Sequence, residues 1–186
     1  MHIVVCIKQV PDSAQIRVHP VTNTIMRQGV PAIVNSYDLF ALEEALRLKD
    51  QFGGRVTMLC MGPPQAEDAL RKCISFGATD AILVTDRAFA GADTLATSYA
   101  LTAAIRKIHA EQAVDLVFTG KQTIDGDTAQ VGPGIAKRLE LQLLRIPVQF
   151  QQPLARQREA DATRVGRWTR MLARSRILHE QFQCVT

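Results

Sequence analysis

Residues 55–85, RVTMLCMGPPQAEDALRKCISFGATDAILVT, decide the fold that the sequence predicts. The stretch begins with an apolar run, RVTMLCMG, that is followed by two prolines, and it ends with a second apolar run, DAILVT. Between them, QAEDALRKCISF has the pattern of a helix that Gly77 terminates. Two short apolar strands that do not alternate in polarity, joined through one helix, are typical of a parallel sheet covered on both faces.

The same alternation of strand and helix continues on both sides of this stretch. Further strands are predicted at 3–7 (IVVCI) and 115–119 (DLVFT), and further helices at 37–52, 93–110 and about 133–144. The short runs 16–18 and 24–26 flank HPVTN and are typical of a small hairpin. The sequence therefore predicts an α/β domain with a parallel, doubly wound sheet over residues 1–144.

The composition changes after residue 144. Residues 145–186 contain eight arginines, three acidic residues and no lysine, a net charge of +5, so the first 144 residues carry −1. We expect a divergent, arginine-rich extension that is loosely packed or partly disordered. Nucleic-acid binding would depend on this segment alone, and Trp168 and Phe182 offer little base stacking, so we expect no nucleic-acid partner.

Several function classes lack their sequence signals. There is no apolar run of about 18 residues, which a membrane-spanning helix needs. The chain opens on a predicted strand, MHIVVCI, instead of a signal peptide, so we expect a cytoplasmic protein. The four cysteines form no CxxC pair and the four histidines show no metal-ligand spacing. We therefore expect neither a metal site nor catalytic residues.

Ligands of open α/β sheets bind at the carboxyl ends of the strands, where the strand order reverses. The loop after the first strand, KQVPD, lacks the GxGxxG fingerprint, which disfavours a nicotinamide-binding domain. The loop after the fourth strand, GKQTIDGDTAQVGPG, begins at Gly120. Since Pro133 suits the first turn of a helix, we expect the helix to start near 131–132. The loop then has about twelve residues, where two to six are usual, which favours a function.

The composition of this loop suits a phosphate. Gly126, Gly132 and Gly134 allow the backbone to approach a ligand closely, and the start of the helix presents free N–H groups to an anion. Thr128 and Gln130 can add hydrogen bonds, and Lys121 can add a positive charge. Asp125 and Asp127 would repel a phosphate. We therefore expect these two carboxylates to shape the loop or to accept a hydrogen bond from a ribose or a base.

Two other places lie on the same predicted rim. Asn35 precedes the first long helix, where it is either the N-cap or a ligand contact, and the sequence leaves both readings open. Residues 60–63, CMGP, follow the second strand of the predicted sheet and are most simply a turn, although they end beside Cys6 and Lys8.

Four stretches resemble the β subunit of electron transfer flavoproteins, in the form associated with nitrogen fixation. They are VVCIKQVPD, VNSYDLFALEEALRLKD, CMGPPQAEDALRKCISFGATDAILV and DLVFTGKQTIDGDTAQVGPGIAKRL. The resemblance spans residues 1–144, and GKQxIDGDxxQ is its most specific part. It implies an α/β domain like that of the adenine nucleotide α-hydrolases.

The resemblance also implies a cofactor and partners. The β subunit of this family pairs with an α subunit that holds most of an FAD, and it holds AMP itself, or a second FAD in the electron-bifurcating branch. The heterodimer carries electrons between dehydrogenases and a quinone reductase or, in the nitrogen-fixation branch, towards ferredoxin or flavodoxin and quinone. The residues expected to bind the nucleotide are Cys6, Lys8, Asn35, Met61, Gly120, Lys121, Gln122, Thr123, Ile124, Asp125, Gly126, Asp127, Thr128, Ala129, Gln130 and Val131.

The resemblance ends near Arg145, although the family's β subunit is considerably longer. We expect this chain to be a truncated or reading-frame-altered product. An alternative function is that of a stand-alone ATP- or AMP-binding protein of the universal-stress-protein type, which the loop sequence disfavours because it lacks a GxxGxxxxxxxxG(S/T)-like arrangement. An ATP-pyrophosphatase is disfavoured because KQVPD stands where that class has SGGxDS.

Overall fold

The structure, a computed structural model, describes residues 1–12, 17–18, 25–26, 31–145 and 182–185, with side chains for 1–12 and 31–143. Ten strands are found in these ranges: β1 (His2–Ile7), β2 (Gln9–Pro11), β3 (Arg17–Val18), β4 (Ile25–Met26), β5 (Ala32–Val34), β6 (Arg55–Met61), β7 (Asp80–Val84), β8 (Leu116–Gly120), β9 (Leu143–Arg145) and β10 (Phe182–Val185).

Four long helices connect or follow these strands: α1 (Ser36–Phe52), α2 (Glu67–Ser75), α3 (Thr94–Glu111) and α4 (Val131–Leu139). Their ends follow from local chemistry. Helix α1 stops at Gly53, which takes a φ of 71° and donates its N–H to the carbonyl of Lys49. Helix α3 starts after Asp93, whose carboxylate accepts the N–H of Ala96 at 2.7 Å.

The main sheet has the order β7-β6-β1-β8-β10-β9. Strands β7, β6, β1 and β8 are parallel to one another, which confirms the predicted α/β class and its four-stranded parallel sheet. From β1 the chain first builds outward to β6 and β7, and it then returns to place β8 on the other side of β1. The strand order therefore reverses between β1 and β8, and a ligand is expected beyond their carboxyl ends.

Helices cover both faces of this sheet. On one face, α1 and α2 pack against Ile3, Val5 and Phe118. On the other face, α3 and α4 pack against Val4 and Val117. Because neither face of β1 meets water, all six of its residues are buried, and the strand is apolar throughout except for His2. Full burial of each valine or isoleucine side chain of β1 contributes roughly 1.5–3 kcal/mol.

Some elements differ from the sequence prediction. The hairpin is confirmed as β3 paired with β4, but the antiparallel pair of β2 and β5 was not foreseen. Helix α4 ends at Leu139, so its predicted extension to residue 144 is wrong. Glu140 adopts a left-handed φ of 57°, which ends the helix, and the chain then enters β9.

The end of the chain also joins the sheet. The backbone of Phe182–Val185 pairs antiparallel with β8 on one side and with β9 on the other. These four residues belong to the predicted 145–186 extension, and sequence reasoning foresaw no strand there. The expectation of loose packing concerns mainly residues 146–181, which lie outside the described ranges. The division into segments 1–144 and 145–186 stays a prediction.

The packing of α3 against α4 fixes where α4 begins relative to the sheet, and Gly134 makes this packing possible. A Cβ at Gly134 would lie 2.6 Å from Ser98 Oγ and 2.8 Å from Ser98 Cβ. We expect Gly134→Ala to lower the free energy of unfolding by about 1–3 kcal/mol, because a well-packed interface has no room for another methyl group. Chemical denaturation followed by circular dichroism measures this change.

The matched control is the double variant Ser98→Gly/Gly134→Ala, which moves the small residue to the other helix. Its loss of stability should be smaller than the sum of the losses in the two single variants, because the added methyl group then has space. Strict additivity of the three free-energy changes would show that the Ser98 contact is not what excludes a side chain at residue 134.

Candidate nucleotide-binding cleft

A cleft of about 870 Å³ opens where the sheet topology predicts a ligand, at the carboxyl ends of β1 and β8. This volume lies in the upper part of the range usual for small-molecule sites. The structure brings twelve of the sixteen predicted site residues into its wall: Cys6, Lys8, Met61, Gly120, Lys121, Gln122, Thr123, Gly126, Thr128, Ala129, Gln130 and Val131.

The other four predicted residues, Asn35, Ile124, Asp125 and Asp127, are not part of the cleft wall in the described structure. Asn35 is fully buried behind the wall. Ile124, Asp125 and Asp127 belong to the 120–131 loop but contact partners within the chain. These four residues therefore support the wall, and the twelve others form it.

Asp38, in the first turn of α1, joins the two strand ends that flank the cleft. Its Oδ2 accepts the N–H of Lys8 at 2.7 Å, and its carboxylate also accepts the N–H of Gly120. A Cβ on Gly120 would overlap Asp38 Oδ1 and lie 2.9 Å from the backbone of Tyr37, so the end of β8 requires glycine. Burial raises the pKa of Asp38 to about 7, although these hydrogen bonds oppose the rise.

Asn35 connects the same helix end to the 120–131 loop. Its side-chain Nδ2 donates to the carbonyl of Gln122 at 2.9 Å, and its Oδ1 accepts the N–H of Ile124 at 3.2 Å. The residue occupies the N-cap position of α1, but in the described part of the chain its side chain makes no capping hydrogen bond to that helix. Its amide instead pairs with the loop as a neighbouring strand would.

An ion pair also holds the loop against the end of β1. Lys8 Nζ lies 2.8 Å from Asp125 Oδ2, with both groups partly exposed. Burial of Asp125 would raise its pKa, but hydrogen bonds from Lys8 and Thr123 outweigh this and hold the pKa below its usual value. Asp125 thus serves as a loop-shaping group, one of the two roles that its sequence context suggested.

Two residues of the loop adopt a left-handed backbone. Asp127 has a φ of 52° and Ala129 has a φ of 54°, a conformation that is costly for alanine. Asp127 is held by the Gln122 side chain, whose Nε2 donates to Asp127 Oδ1, and by its own N–H, which donates to the Thr123 carbonyl at 2.9 Å. Backbone strain of this kind clusters at ligand-binding loops.

Helix α4 points its N-terminus at the cleft. Val131 and Gly132, its first two residues, line the wall, and Pro133 follows in the first turn as predicted. Gln130 stands at the N-cap position without making a side-chain capping bond within the described residues. The first N–H groups of α4 therefore remain for an anionic ligand, which the helix dipole also favours.

Sequence reasoning missed one wall of the cleft and two polar side chains that line it elsewhere, those of Asp38 and Thr119. The missed wall is the segment 85–94, with Thr97 and Leu101 of α3 behind it. This segment follows the carboxyl end of β7, so the rule that pointed to the other loops could have found it. Of the two missed side chains, that of Thr119 is buried and its hydroxyl has no hydrogen-bond partner among the described residues.

The cysteines near the cleft are neutral thiols. Burial raises the pKa of Cys6 far above its usual value, and it raises the pKa of Cys60 to about 11. Within the ranges that the structure describes, no group of three or more His, Cys, Asp or Glu residues is arranged to hold a metal ion. The cleft therefore offers a ligand apolar contacts, backbone amides, hydroxyls and charged side chains, namely the basic Lys8, Arg87 and Lys121 and the acidic Asp38, Asp86 and Asp93.

Comparison with known proteins agrees with this geometry. The model of the electron transfer flavoprotein domain matches residues 22–165. Protein FixA of Azotobacter vinelandii is 83% identical over 144 residues, which are 77% of this chain and 51% of that protein. The electron transfer flavoprotein subunit beta of Clostridium acetobutylicum is 58% identical over 139 residues, 75% of this chain and 52% of that subunit. The chain thus spans about half the length of these curated relatives.

The raised pKa of Asp38 predicts how stability depends on pH. A carboxyl whose pKa is higher in the folded state binds its proton more tightly there, so its contribution is complete below pH 4 and is lost as pH rises to about 7. We expect the stability of Asp38→Asn to depend less steeply on pH between about 4 and 7, where one group contributes up to about 1.4 kcal/mol per pH unit. Urea denaturation at several pH values measures it.

Asp50→Asn, which removes an exposed carboxylate from the same helix, is the control and should keep the pH profile of the wild type. Parallel profiles for wild type and Asp38→Asn would mean that the Asp38 carboxyl does not titrate in this window.

Proposed function

Because the chain belongs to the electron transfer flavoprotein family, we propose that it is a β-type subunit of an electron carrier and that its cleft holds an adenine nucleotide. The nucleotide is AMP or a second FAD. When FAD is bound, the flavin supplies the electron chemistry, and the chain supplies position and electrostatics. The identity of 83% to Protein FixA supports a role in the nitrogen-fixation branch.

One observation carries this proposal: the 120–131 loop and the N-terminus of α4 meet at the carboxyl ends of β1 and β8. A phosphate suits the N-terminus of α4, where uncapped N–H groups and the helix dipole favour an anion. Lys121 is exposed on the same wall and adds positive charge.

The remaining surfaces of the cleft suit the rest of a nucleotide. Cys6, Met61 and Leu101 provide apolar contacts of the kind that a purine ring needs. The hydroxyl of Thr119, for which the described residues provide no partner, can form a hydrogen bond with a ligand, and a buried polar atom of this kind calls for one. The volume of about 870 Å³ is large enough for either nucleotide.

The partners follow from the same proposal. We infer an α subunit that holds most of an FAD, together with dehydrogenases as donors and a quinone reductase, ferredoxin or flavodoxin as acceptors, all in the cytoplasm. Among the described residues, the structure has no helix long and apolar enough to cross a membrane.

Co-expression with the α subunit of the same source tests the proposal. We expect a yellow heterodimer that releases, on denaturation, one FAD plus one AMP or two FAD per pair. Chromatography of the released nucleotides counts them. A colourless chain that never associates would contradict the electron-carrier function, and a homodimer that binds ATP tightly in calorimetry would favour the universal-stress-protein alternative.

The charge of Lys121 should matter for binding. We expect Lys121→Gln to raise the Kd for AMP about fivefold at low salt, because one partly exposed charge pair is worth about 1 kcal/mol, and to reduce the salt dependence of that Kd. Isothermal calorimetry at two salt concentrations measures both. Lys107→Gln removes the same charge from an exposed position far along α3 and should leave the Kd unchanged. Equal effects of the two substitutions would show that only net charge matters.

A further inference from the structure

Asn35 and Asp38 form a buried hydrogen-bonded pair at the start of α1. Asn35 is 0% exposed and Asp38 is 4% exposed, and the side chain of Asn35 donates to the carboxylate of Asp38. The pair lies between β1, β8 and the 120–131 loop, where Asp38 lines the cleft and Asn35 does not.

The polar groups of Asn35 are all engaged within the chain. Its backbone N–H donates to the Lys8 carbonyl at 2.9 Å, and its carbonyl accepts the N–H of Asp38 at 3.0 Å. Its side-chain Nδ2 donates to the Gln122 carbonyl, and its Oδ1 accepts the N–H of Ile124. Both ends of this fully buried amide are thus bonded within the chain.

The bonds to Gln122 and Ile124 have a specific consequence for the loop. They hold the carbonyl of Gln122 and the N–H of Ile124, on either side of Thr123, as the hydrogen bonds of an added strand would. Thr123, which lies between them, faces the cleft, and its carbonyl accepts the N–H of Asp127, the first of the two left-handed residues. The segment that Asn35 holds is thus hydrogen-bonded directly to the left-handed part of the loop.

We propose that Asn35 is a positioning residue for the nucleotide site, which acts by holding residues 122–124 in the conformation that binds the nucleotide and does not contact the nucleotide itself. The inference rests on the proposed function for the nucleotide, but the loop contact that it invokes exists in the free chain. Asp38 orients the Asn35 amide and ties it to the ends of β1 and β8.

The test follows the backbone amide of Ile124 in the free, full chain by hydrogen exchange with NMR detection. In the wild type, we expect this amide to exchange at least about tenfold more slowly than that of Thr128, which is exposed in the same loop. In Asn35→Ala, we expect the Ile124 amide to exchange at least about tenfold faster than in the wild type. Equal exchange rates for Ile124 and Thr128 in the wild type would overturn the proposal even if Asn35→Ala failed to fold.

Binding of FAD and of AMP by the same proteins is then measured by calorimetry. We expect the Kd of the nucleotide that binds the wild type to rise about tenfold in Asn35→Ala, because fewer molecules then have a competent loop. The control is Thr57→Val, which removes a buried hydroxyl bonded to His2 near the amino ends of β1 and β6. This substitution should change neither the exchange of Ile124 nor the Kd.

The results separate a positioning role from a direct contact. Weaker binding with unchanged exchange of Ile124 would make Asn35 a ligand contact and overturn the proposal. Faster exchange with an unchanged Kd would also overturn it, because the loop contact would then not matter for binding. If the wild type bound neither FAD nor AMP, the proposed function would fail, while the exchange data would still report on the contact itself.

Discussion

The Asp38 carboxylate accepts the backbone N–H groups of Lys8 and Gly120, and this shared acceptor is the constraint on which the cleft depends. Neighbouring parallel strands end with N–H groups that no further strand pairs. At the point where the strand order reverses, a ligand-sized opening leaves those groups without partners. One carboxylate between β1 and β8, which itself lines the cleft, satisfies both N–H groups and leaves the rest of the opening free.

Burying this carboxylate is costly, and the surrounding contacts show how the cost is offset. Desolvation favours the protonated acid, whereas the two backbone amides and the Asn35 side chain favour the ion. The close approach leaves no space for a side chain at Gly120, which explains why the loop must begin with glycine. The same Asn35 amide then extends the support to residues 122–124. A single helix end thus organises two strand ends and one loop.

The fold could be predicted from the sequence because its signals are local and strong. Four apolar strands alternating with amphipathic helices specify a parallel sheet, and the rule for ligands at the switch point located the cleft. Strands β9 and β10 could not be predicted, because a strand of three or four residues depends on its pairing partner rather than on its own pattern. The end of helix α4 at Leu139 could not be predicted either, because the residue type of Glu140 does not indicate that it adopts a left-handed conformation.

For the site, sequence reasoning identified the wall better than the groups behind it. A loop of unusual length and glycine content can be recognised in the sequence. The hydrogen bond of a buried amide cannot, because Asn35 and its partner Gln122 lie 87 residues apart in the sequence. Asp38 has the pattern of an ordinary first-turn acid of a helix, and only the packing of β8 against α1 gives it two strand ends to hold.

A small set of contacts holds the cleft, and two of the residues that make them, Lys8 and Asp38, also line it. Asn35, Asp38 and the Lys8–Asp125 ion pair fix the wall formed by β1, β8 and the 120–131 loop. The opposite wall, segment 85–94, comes from the loop after β7 and does not depend on these contacts. Because parallel strands end at one common edge, each loop can change in length or composition while the buried support stays the same. For the nucleotide site that we propose, the wall after β7 is therefore the one that can change with the size of the ligand, while the supported wall opposite keeps its conformation.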